Sequence, residues 1–439
     1  MSFSEILRLF NEGLTFFVIF PAIVVLGIYL TVKLRFVQFS KLGLSIKHLL
    51  HKPENQEGIS HYQAVSAVLA GNFGTGNISG MAIAFTTGGP GALIWMWIIA
   101  FLGAAIQYAS CILGVKYREK NSHGDHVGGP MYYLHKGLKL KKLGIIFAIF
   151  TVVGGLSVGN FTQVNSLTLP LEQLGIHPII SSLGIALLVG LVLLGGIQRF
   201  AKMAASVVPI MALLYFGAAL LILALNSSQV LPALGQMFIA AFSPSSLVGG
   251  TMGYGVMKTI STGFDRGIFA TDAGTGVAPI LQSSTHSEDP ITNGLSTLIT
   301  PVLVMIVCTM TGLVLLITGA WEGGLQSTNM VVAAFSQGLN SSIGGAIVMI
   351  ALFLFSYTTI LAWANCSERA VCYLLGDGWI KRFRYFFIAM VPCGAFFQVD
   401  MVWLLADISI CLMLATNMIG VAGLSREVVE DSHEYLYSA

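Results

Sequence analysis

Charge is what this 439-residue sequence has least of. Lysine, arginine, aspartate and glutamate make up 10% of the residues, hydrophobic residues make up 55%, and the mean hydropathy is +0.81. Soluble domains carry about 25% charged residues, because a surface in water has to be covered by polar groups. This composition indicates a polytopic membrane protein in contact with the lipid bilayer. The net charge of +2 gives no reason to expect a nucleic-acid partner.

Sequence motifs for covalent chemistry are also missing. The chain has no HExxH, GxSxG or GxxxxGK[ST] pattern, and its six cysteines form no CxxC pair. The glycine-rich GTGNISG has neither the preceding strand nor the acidic partner that a dinucleotide site needs. We therefore interpret the cysteines as small buried apolar residues, and we expect neither an enzyme nor an organic cofactor.

Long apolar segments define the architecture. A helix needs about 20 residues to cross the ~30 Å hydrocarbon core of a bilayer. The sequence predicts an all-α fold with about eleven transmembrane helices. Their predicted spans are 14–32, 60–86, 91–115, 143–168, 179–198, 204–225, 247–279, 293–319, 343–368, 383–399 and 402–424.

The basic residues predict the orientation of these spans. If all eleven cross and the N-terminus lies outside, every lysine and arginine except Arg8, Lys258 and Arg266 falls in inner segments. Cytoplasmic loops of membrane proteins carry this excess of positive charge. We therefore predict a multi-pass protein of the cell (inner) membrane with its C-terminus in the cytoplasm. Short amphipathic helices are predicted outside at 228–242 and 330–339, and a basic one inside at 36–52.

Two of the predicted spans are unusually polar. Residues 69–80 read LAGNFGTGNISG, and the seventh span contains Lys258, Asp265, Arg266 and Asp272. When the first span is set aside, the other ten form two groups of five, and each group begins with one of these polar spans. Because five crossings reverse the direction of the chain, the two groups have opposite topology. This arrangement predicts an inverted-repeat transporter with two broken helices.

The repeat gives a predicted division of the chain. An N-terminal helix and a basic amphipathic helix occupy 1–58, the first repeat occupies 59–225, the second 226–425, and a cytoplasmic tail 426–439. A broken helix frees backbone N–H and C=O groups, which are costly in lipid unless they line a cavity. Freed N–H groups suit a carboxylate, and freed carbonyls suit Na⁺. Alternatively, the glycines could serve only close helix packing.

Several stretches together resemble the alanine/glycine:cation symporter family, which has the LeuT-type fold and eleven spans. The resemblance covers about residues 60–420. It is carried by GNFGTGNISG (71–80), GGPGALIWMW (88–97), VKYREK (115–120), GGPMYYL (128–134), RGIFATDAGTGVAP (266–279), TTILAW (358–363) and VWLLADI (402–408).

The resemblance implies a substrate site between the two broken helices. The backbone N–H groups of Thr75 and Gly76 would bind the substrate carboxylate. The carbonyls near Gly263 and Phe264 would face its amine. Three further residues would complete the site: Gln163 as a polar wall, Thr359 beside the cation, and Trp363 as a roof.

The resemblance also implies cation sites. One Na⁺ would be held by the carbonyls of two residues and the hydroxyls of two more, namely Ala70, Phe73, Thr358 and Thr359. A second position, if present, would use the Asn72 carbonyl and the Asn77 side chain.

These residues also have purely structural interpretations. Trp363 could simply pack, Gln163 could join helices, and Thr358 and Thr359 could bond to their own helix. Asp265, Arg266 and Asp272 could form a salt-bridge network or a gate, and Glu368 could also belong to a gate.

At three places the sequence differs from the residues that are common in this family. It reads ANCSE (364–368) after Trp363, FATDAG where FSNEAG is common, and Ser110 where an acid is usual. The first difference bears on which amino acid is the substrate. The other two bear on cation coupling or on the gating network.

These observations predict a secondary active transporter that imports a small neutral amino acid, alanine or glycine, together with Na⁺ by alternating access. An alternative is an H⁺-coupled transporter, or a transporter of a larger neutral amino acid such as glutamine. A channel is disfavoured because the polar residues form two clusters and no repeated ring along a pore. The oligomeric state is not determined by the sequence, and a monomer is compatible with it.

Overall fold

Helices make up nearly all of the structure. The computed structural model describes residues 3–50, 59–122, 124–243, 252–285, 287 and 289–437. Within them, the strands are β1 (Glu119–Lys120) and β2 (His126–Val127), an antiparallel pair with Glu119 opposite Val127. The predicted all-α membrane fold is confirmed. The helices are α1 (Phe3–Leu14), α2 (Phe20–Lys33), α3 (Val37–Ser40), α4 (Leu42–Leu50), α5 (His61–Asn72), α6 (Ser79–Gly88), α7 (Ala92–Lys116), α8 (Pro130–Lys136), α9 (Lys141–Leu156), α10 (Thr162–Gln173), α11 (Pro178–Leu193), α12 (Gly196–Leu225), α13 (Ser227–Phe242), α14 (Met252–Thr271), α15 (Val277–Gln282), α16 (Pro290–Thr297), α17 (Ile299–Thr318), α18 (Ser327–Gly338), α19 (Ser342–Leu375), α20 (Ile380–Met390), α21 (Val399–Gly423) and α22 (Ser425–Tyr437).

Several of these helices join into longer ones. A π-helical turn (Thr15–Ile19) links α1 to α2, and another (Ser157–Phe161) links α9 to α10. Seven continuous helices in the described chain are long and apolar enough to cross a bilayer: Glu5–Lys33, Ala92–Lys116, Lys141–Gln173, Gly196–Leu225, Pro290–Thr318, Ser342–Leu375 and Val399–Gly423. The other four predicted spans coincide with α5–α6, α11, α14–α15 and α20, so the number of crossings stays a prediction.

The order of the elements repeats along the chain. A short helix (α4) precedes broken helix α5–α6, then come α7, the short α8, the long α9–α10, α11 and α12. In the second half a short helix (α13) precedes broken helix α14–α15, then come α16–α17, the short α18, α19, α20 and α21. This order agrees with two five-helix repeats. The predicted helices at 228–242 and 330–339 are present as α13 and α18. The single helix predicted at 36–52 is divided at Lys41 into α3 and α4, and residues 51–58 lie outside the described residues.

The first helix break lies where the sequence places its glycine run. Ser60 and Gln63 form a reciprocal capping box that begins α5. The helix ends at Asn72, Gly74 is extended, and a 3-10 turn spans Thr75–Asn77 before α6 begins. A Cβ on Gly76 would lie 2.8 Å from the Phe269 ring, so only glycine fits against α14 here.

The second break lies later in the chain than expected. Helix α14 runs without interruption to Thr271, and the break is formed by Asp272–Gly276, where Asp272, Gly274 and Gly276 have positive φ angles of 49°, 85° and 97°. The prediction that carbonyls are freed near Gly263 and Phe264 is therefore wrong, because both residues lie inside a continuous helix. Positive φ is a conformation that glycine adopts without strain, so the glycines of DAGTG mark the break.

Gly263 and Phe264 have packing roles instead. A Cβ on Gly263 would lie 2.6 Å from the carbonyl oxygen of Ala92, so this glycine allows α14 to approach α7 closely. The Phe264 ring is fully buried against Phe20 of the N-terminal helix, with ring centroids 4.3 Å apart. These residues therefore fix α14 against its neighbours.

Trp363 lies in a slot made by glycines of the helix that contains the second π turn. A Cβ on Gly159 would lie 2.1 Å from the Trp363 Cβ, and one on Gly154 would lie 3.1 Å from its ring. The indole is completely buried, and its N–H has no hydrogen-bond partner among the described residues. Its packing interpretation is thus well supported, and the role as a roof stays a prediction.

We expect Gly159→Ala to lower the melting temperature of the purified protein. The added methyl group overlaps the Trp363 side chain, and overpacking of this kind costs about 1–3 kcal/mol. Gly184→Ala is the matched control, because a Cβ there meets nothing within 4 Å. Equal melting temperatures for the two variants, measured by thermal denaturation in detergent, would contradict this packing.

Candidate functional site

Oxygen atoms converge at the end of α5. The Thr359 hydroxyl oxygen lies 2.9 Å from the Ala70 carbonyl oxygen and 3.3 Å from those of Gly71 and Phe73. A hydroxyl donates one proton, so it cannot satisfy three carbonyls at once. These four oxygens form a cluster that we call the carbonyl cradle. Such a group of helix-end carbonyls and a hydroxyl is suited to Na⁺.

The cradle contains most of the predicted residues of the first cation position. Ala70, Phe73 and Thr359 meet as expected, and Gly71 joins them. The Thr358 hydroxyl bonds to its own helix at Leu354 and Phe355, 2.9 and 3.1 Å away. The structure therefore does not bring Thr358 to the cradle, because its side chain lies on the neighbouring face of α19, against Met211.

The side-chain amide of Gln163 is bonded to a backbone N–H group in the first helix break. The Thr75 N–H donates to the Gln163 Oε1 atom at 3.0 Å, and Gln163 in turn donates to the Val158 carbonyl at 3.0 Å. Val158 lies in the second π turn, which places Gln163 opposite the break. The Thr75 hydroxyl is buried and has no partner among the described residues. Gln163 thus places an oxygen at the N–H group that the resemblance assigns to the substrate carboxylate.

The two asparagines of the first break also meet. The Asn77 side-chain NH₂ group donates to the Asn72 carbonyl at 2.9 Å, while its Oδ1 atom accepts from the Cys308 thiol at 3.2 Å. The structure brings the residues of the predicted second cation position together. With these bonds, however, the Asn77 amide donates to the carbonyl and does not present its oxygen beside it.

The two breaks are bonded to each other. The Asn72 side chain donates from Nδ2 to the Thr271 carbonyl at 2.9 Å, which joins the end of α5 to the end of α14. The second break is held from α21, where Asn417 donates to the Gly274 carbonyl at 2.6 Å and to the Ser110 hydroxyl at 3.1 Å. Sequence reasoning missed Asn417, which is a polar residue within the last apolar span. Ser110, one of the three differences from the family's common residues, thus accepts a hydrogen bond from the last long helix.

A cavity of about 950 Å³ opens toward the end of the molecule where the chain begins. It is lined by α1, the last turns of α6, the middle of α14, the first turns of α21 and the segment 321–327. This is the side that the predicted topology places outside. The cavity is lined by residues of both charge signs, including Arg8, Lys258 and Asp400.

Buried charges and aromatic rings form the floor of this outer cavity. Arg266 pairs with Asp407 of α21, and its guanidinium lies 4.8 Å from the Trp403 ring centroid. The rings of Trp403 and Phe269 are 4.6 Å apart, and Gly80 lies beside Trp403. This layer contacts the first break and the start of α6, at Gly76 and Gly80.

The network predicted for Arg266 is present, but its members differ from those expected. Asp265 accepts from Thr15 of the N-terminal helix at 3.0 Å. Asp272 takes no part in an ion pair among the described residues. The sequence signal for Asp407 was its position in the last apolar span, where a charge is costly and marks a functional or paired residue.

Two further groups of contacts lie on the side that the predicted topology places inside. Glu368 accepts two hydrogen bonds from Arg384, at 2.6 and 2.8 Å. Arg118 donates to the carbonyls of Ser283, Thr285 and Ser287, just after α15.

The sequence matches a family model over its whole length. The model is that of the sodium:alanine symporter family, and the match covers residues 1–439. The chain belongs to the sodium:alanine symporter family. It is therefore a membrane transporter and not an enzyme, from a family of sodium-coupled amino-acid symporters.

Relatives of this symporter align over most of their length. It is 40% identical over 414 residues to an uncharacterized transporter of Haemophilus influenzae, covering 93% of the symporter and 91% of the relative. It is 38% identical over 420 residues to the sodium/alanine symporter AgcS of Methanococcus maripaludis, covering 93% and 92%. It is 32% identical over 417 residues to a probable sodium/glutamine symporter, GlnT, of Bacillus subtilis, covering 93% and 86%.

We expect Arg266→Gln to destabilise the symporter strongly. The change leaves Asp407 buried without its counter-charge, and removing one partner of a buried pair costs about 3–5 kcal/mol. The double variant Arg266→Gln/Asp407→Asn is expected to regain part of the loss, because the side chain at 407 is then neutral and needs no counter-charge. Thermal denaturation in detergent measures both.

Arg8→Gln is the control for this experiment. Arg8 lines the same cavity but is exposed, so its loss is expected to leave the melting temperature within about a degree of wild type. If Arg266→Gln behaves like Arg8→Gln, the floor of the cavity does not depend on the ion pair.

Proposed function

We propose that this symporter imports a small neutral amino acid, alanine or glycine, together with Na⁺ across the cell membrane. The observation that supports this most is the pairing of two opposite sites at one helix break: the carbonyl cradle and the Thr75–Gly76 N–H groups. The first suits a cation, and the second suits a carboxylate. The N-terminus lies outside and the C-terminus in the cytoplasm in this proposal.

The proposed cycle begins at the outer cavity. Na⁺ and the amino acid enter through it and pass the layer of Arg266, Asp407, Trp403 and Phe269 as that layer opens. Na⁺ binds in the carbonyl cradle and holds the end of α5 in place. The substrate carboxylate then replaces the Gln163 oxygen at the Thr75 N–H, and the amine faces the other break.

The inner gate completes the cycle. Release to the cytoplasm requires the contacts of Arg118 with 283–287 and of Glu368 with Arg384 to separate. Because Na⁺ and the carboxylate bind opposite sides of the same break, each favours the conformation that the other needs. Such a coupling is typically worth about 1–3 kcal/mol. No covalent step is involved.

Two alternatives concern the cargo. A larger neutral amino acid such as glutamine is favoured by the similarity to GlnT. The sequence ANCSE (364–368), which differs from the residues common in the family after Trp363, bears on the choice between a small and a large substrate. Coupling to H⁺ in place of Na⁺ would leave the carbonyl cradle without a purpose, since carbonyls bind a metal cation but have no titratable proton. We therefore favour Na⁺, and we favour a short side chain because the chain is more similar to the sodium/alanine symporter AgcS than to GlnT.

We expect purified symporter in liposomes to take up L-alanine when an inward Na⁺ gradient is imposed. Na⁺ is expected to raise the apparent affinity for alanine about 5- to 150-fold, the range of typical coupling energies. Glycine is expected to compete with labelled alanine more strongly than glutamine does. Uptake that does not depend on Na⁺ would contradict Na⁺ coupling and support H⁺ coupling. Uptake that glutamine inhibits more strongly than glycine does would support the larger substrate.

We expect Thr359→Ala to weaken Na⁺ binding roughly 10- to 150-fold, because an interaction with a charged group is worth about 1.5–3 kcal/mol. Thr358→Ala is the matched control, since its hydroxyl bonds only to its own helix and Met211 among the described residues. Sodium binding by the two purified variants, measured with radioactive sodium, separates the roles of adjacent threonines. Equal affinities would contradict the cradle.

A further inference from the structure

The side chain of Asn417 joins three other parts of the chain to α21. It is completely buried. Its NH₂ group donates from Nδ2 to the Gly274 carbonyl at 2.6 Å and to the Ser110 hydroxyl at 3.1 Å. Its Oδ1 atom accepts a hydrogen bond from the hydroxyl of Tyr133, which lies in α8. This one amide therefore connects α8 and α7 to the second helix break.

The orientation of the Asn417 amide is fixed by the chemistry of its partners. The Gly274 carbonyl can only accept a hydrogen bond, so the NH₂ group has to face it and the Oδ1 atom has to face the Tyr133 hydroxyl. Without that hydroxyl, a buried acceptor would be left unpaired, which is unfavourable. Because the amide is planar, its bond to Tyr133 and its bond to Gly274 favour the same orientation.

Helix α8 also packs directly against the second break. A Cβ on Gly276 would lie 2.6 Å from the Pro130 ring at the start of α8. On the other side of α8, a Cβ on Gly420 of α21 would lie 2.7 Å from the Tyr133 ring. The position of Tyr133 is therefore tied both to the break and to the helix that carries Asn417. The predicted topology places α8 on the inner side.

We propose that Asn417 is a positioning residue that transmits the position of α8 to the second helix break. While α8 is packed against α21, Tyr133 holds the Asn417 amide in the orientation that fixes the Gly274 carbonyl. When α8 moves away as the inner side opens, the amide loses this donor and the break is released. The inference rests on the proposed alternating-access cycle, but it does not depend on which amino acid or cation is carried.

The first test is hydrogen exchange in the peptide that covers residues 272–277 of the purified symporter, in detergent and without amino acid. The Thr275 N–H is bonded to the Asp272 carbonyl at 3.1 Å, so its exchange reports opening of the break. Tyr133→Phe removes the donor and keeps the ring. It is expected to raise exchange in this peptide about fivefold or more, because a buried acceptor loses its partner.

Tyr108→Phe is the matched control for this measurement. Tyr108 is also completely buried, and its hydroxyl is bonded to Ser432 of α22 at 3.0 Å. Its variant loses a buried hydrogen bond of the same kind, away from the second break. Exchange in the peptide 272–277 is expected to stay at the wild-type rate.

Asn417→Ala decides whether Tyr133 acts through the amide. This variant is expected to raise exchange in the same peptide, and the addition of Tyr133→Phe to it is expected to change nothing further. An additive effect, or wild-type exchange in Tyr133→Phe, would overturn the inference. A rise that is spread equally over the whole protein would also overturn it, because that result reflects general instability.

Uptake of labelled alanine by the same variants in liposomes is the second test. The proposed cycle places the substrate amine at the second break, so Tyr133→Phe is expected to raise KM about fivefold and to leave kcat within about twofold of wild type. A wild-type KM in a variant with raised exchange would overturn the positioning role. A wild-type protein that takes up no alanine would contradict the proposed function, and the exchange measurements then decide this inference by themselves.

Discussion

The structure depends on the contact between two helix breaks. Inside a bilayer no water is available to bond to free backbone groups, so an interrupted helix is stable only where protein groups or a ligand replace the missing bonds. Each break supplies part of what the other lacks. The Asn72 side chain bonds to the Thr271 carbonyl, and Gly76 packs against Phe269, so the two half-helix ends are held as one unit.

The remaining groups of the breaks are held by side chains from other helices. Gln163 reaches the Thr75 N–H because a π turn widens its helix at Ser157–Phe161, and π turns of this kind often occur at functional sites. Thr359 reaches the end of α5 from α19, and Asn417 reaches the second break from α21. Motion of any of these helices therefore changes the bonding of the breaks, which is how a rocking bundle can alter a central site.

Contacts of different kinds lie at the two ends of the helix bundle. At the cavity, the Arg266–Asp407 ion pair lies beside the Trp403 ring, which is 4.6 Å from the Phe269 ring. At the ends that the predicted topology places inside, Arg384 forms a bidentate pair with Glu368, and Arg118 is bonded to three carbonyls.

Much of the site could be predicted from the sequence. The first break was located correctly because its glycines and polar residues interrupt a long apolar run, and Thr359 was assigned by resemblance to the cradle that it occupies. The resemblance points to carbonyls near Gly263 and Phe264, but the glycines of α14 keep helical angles, and the positive φ angles of the second break lie after the helix, within Asp272–Gly276. Thr358 was assigned beside Thr359, but adjacent residues on a helix face directions about 100° apart.

What the sequence determined by itself was the class of protein, the approximate spans, the two interrupted helices and the family. These follow from composition and from local patterns, because the bilayer imposes a hydrophobic length on each span. Only the tertiary structure decided which oxygens meet. Asp407 and Arg266 are 141 positions apart, and Gln163 and Thr75 are 88 apart. Contacts over such separations depend on how whole helices pack, and no local pattern in the sequence records that packing.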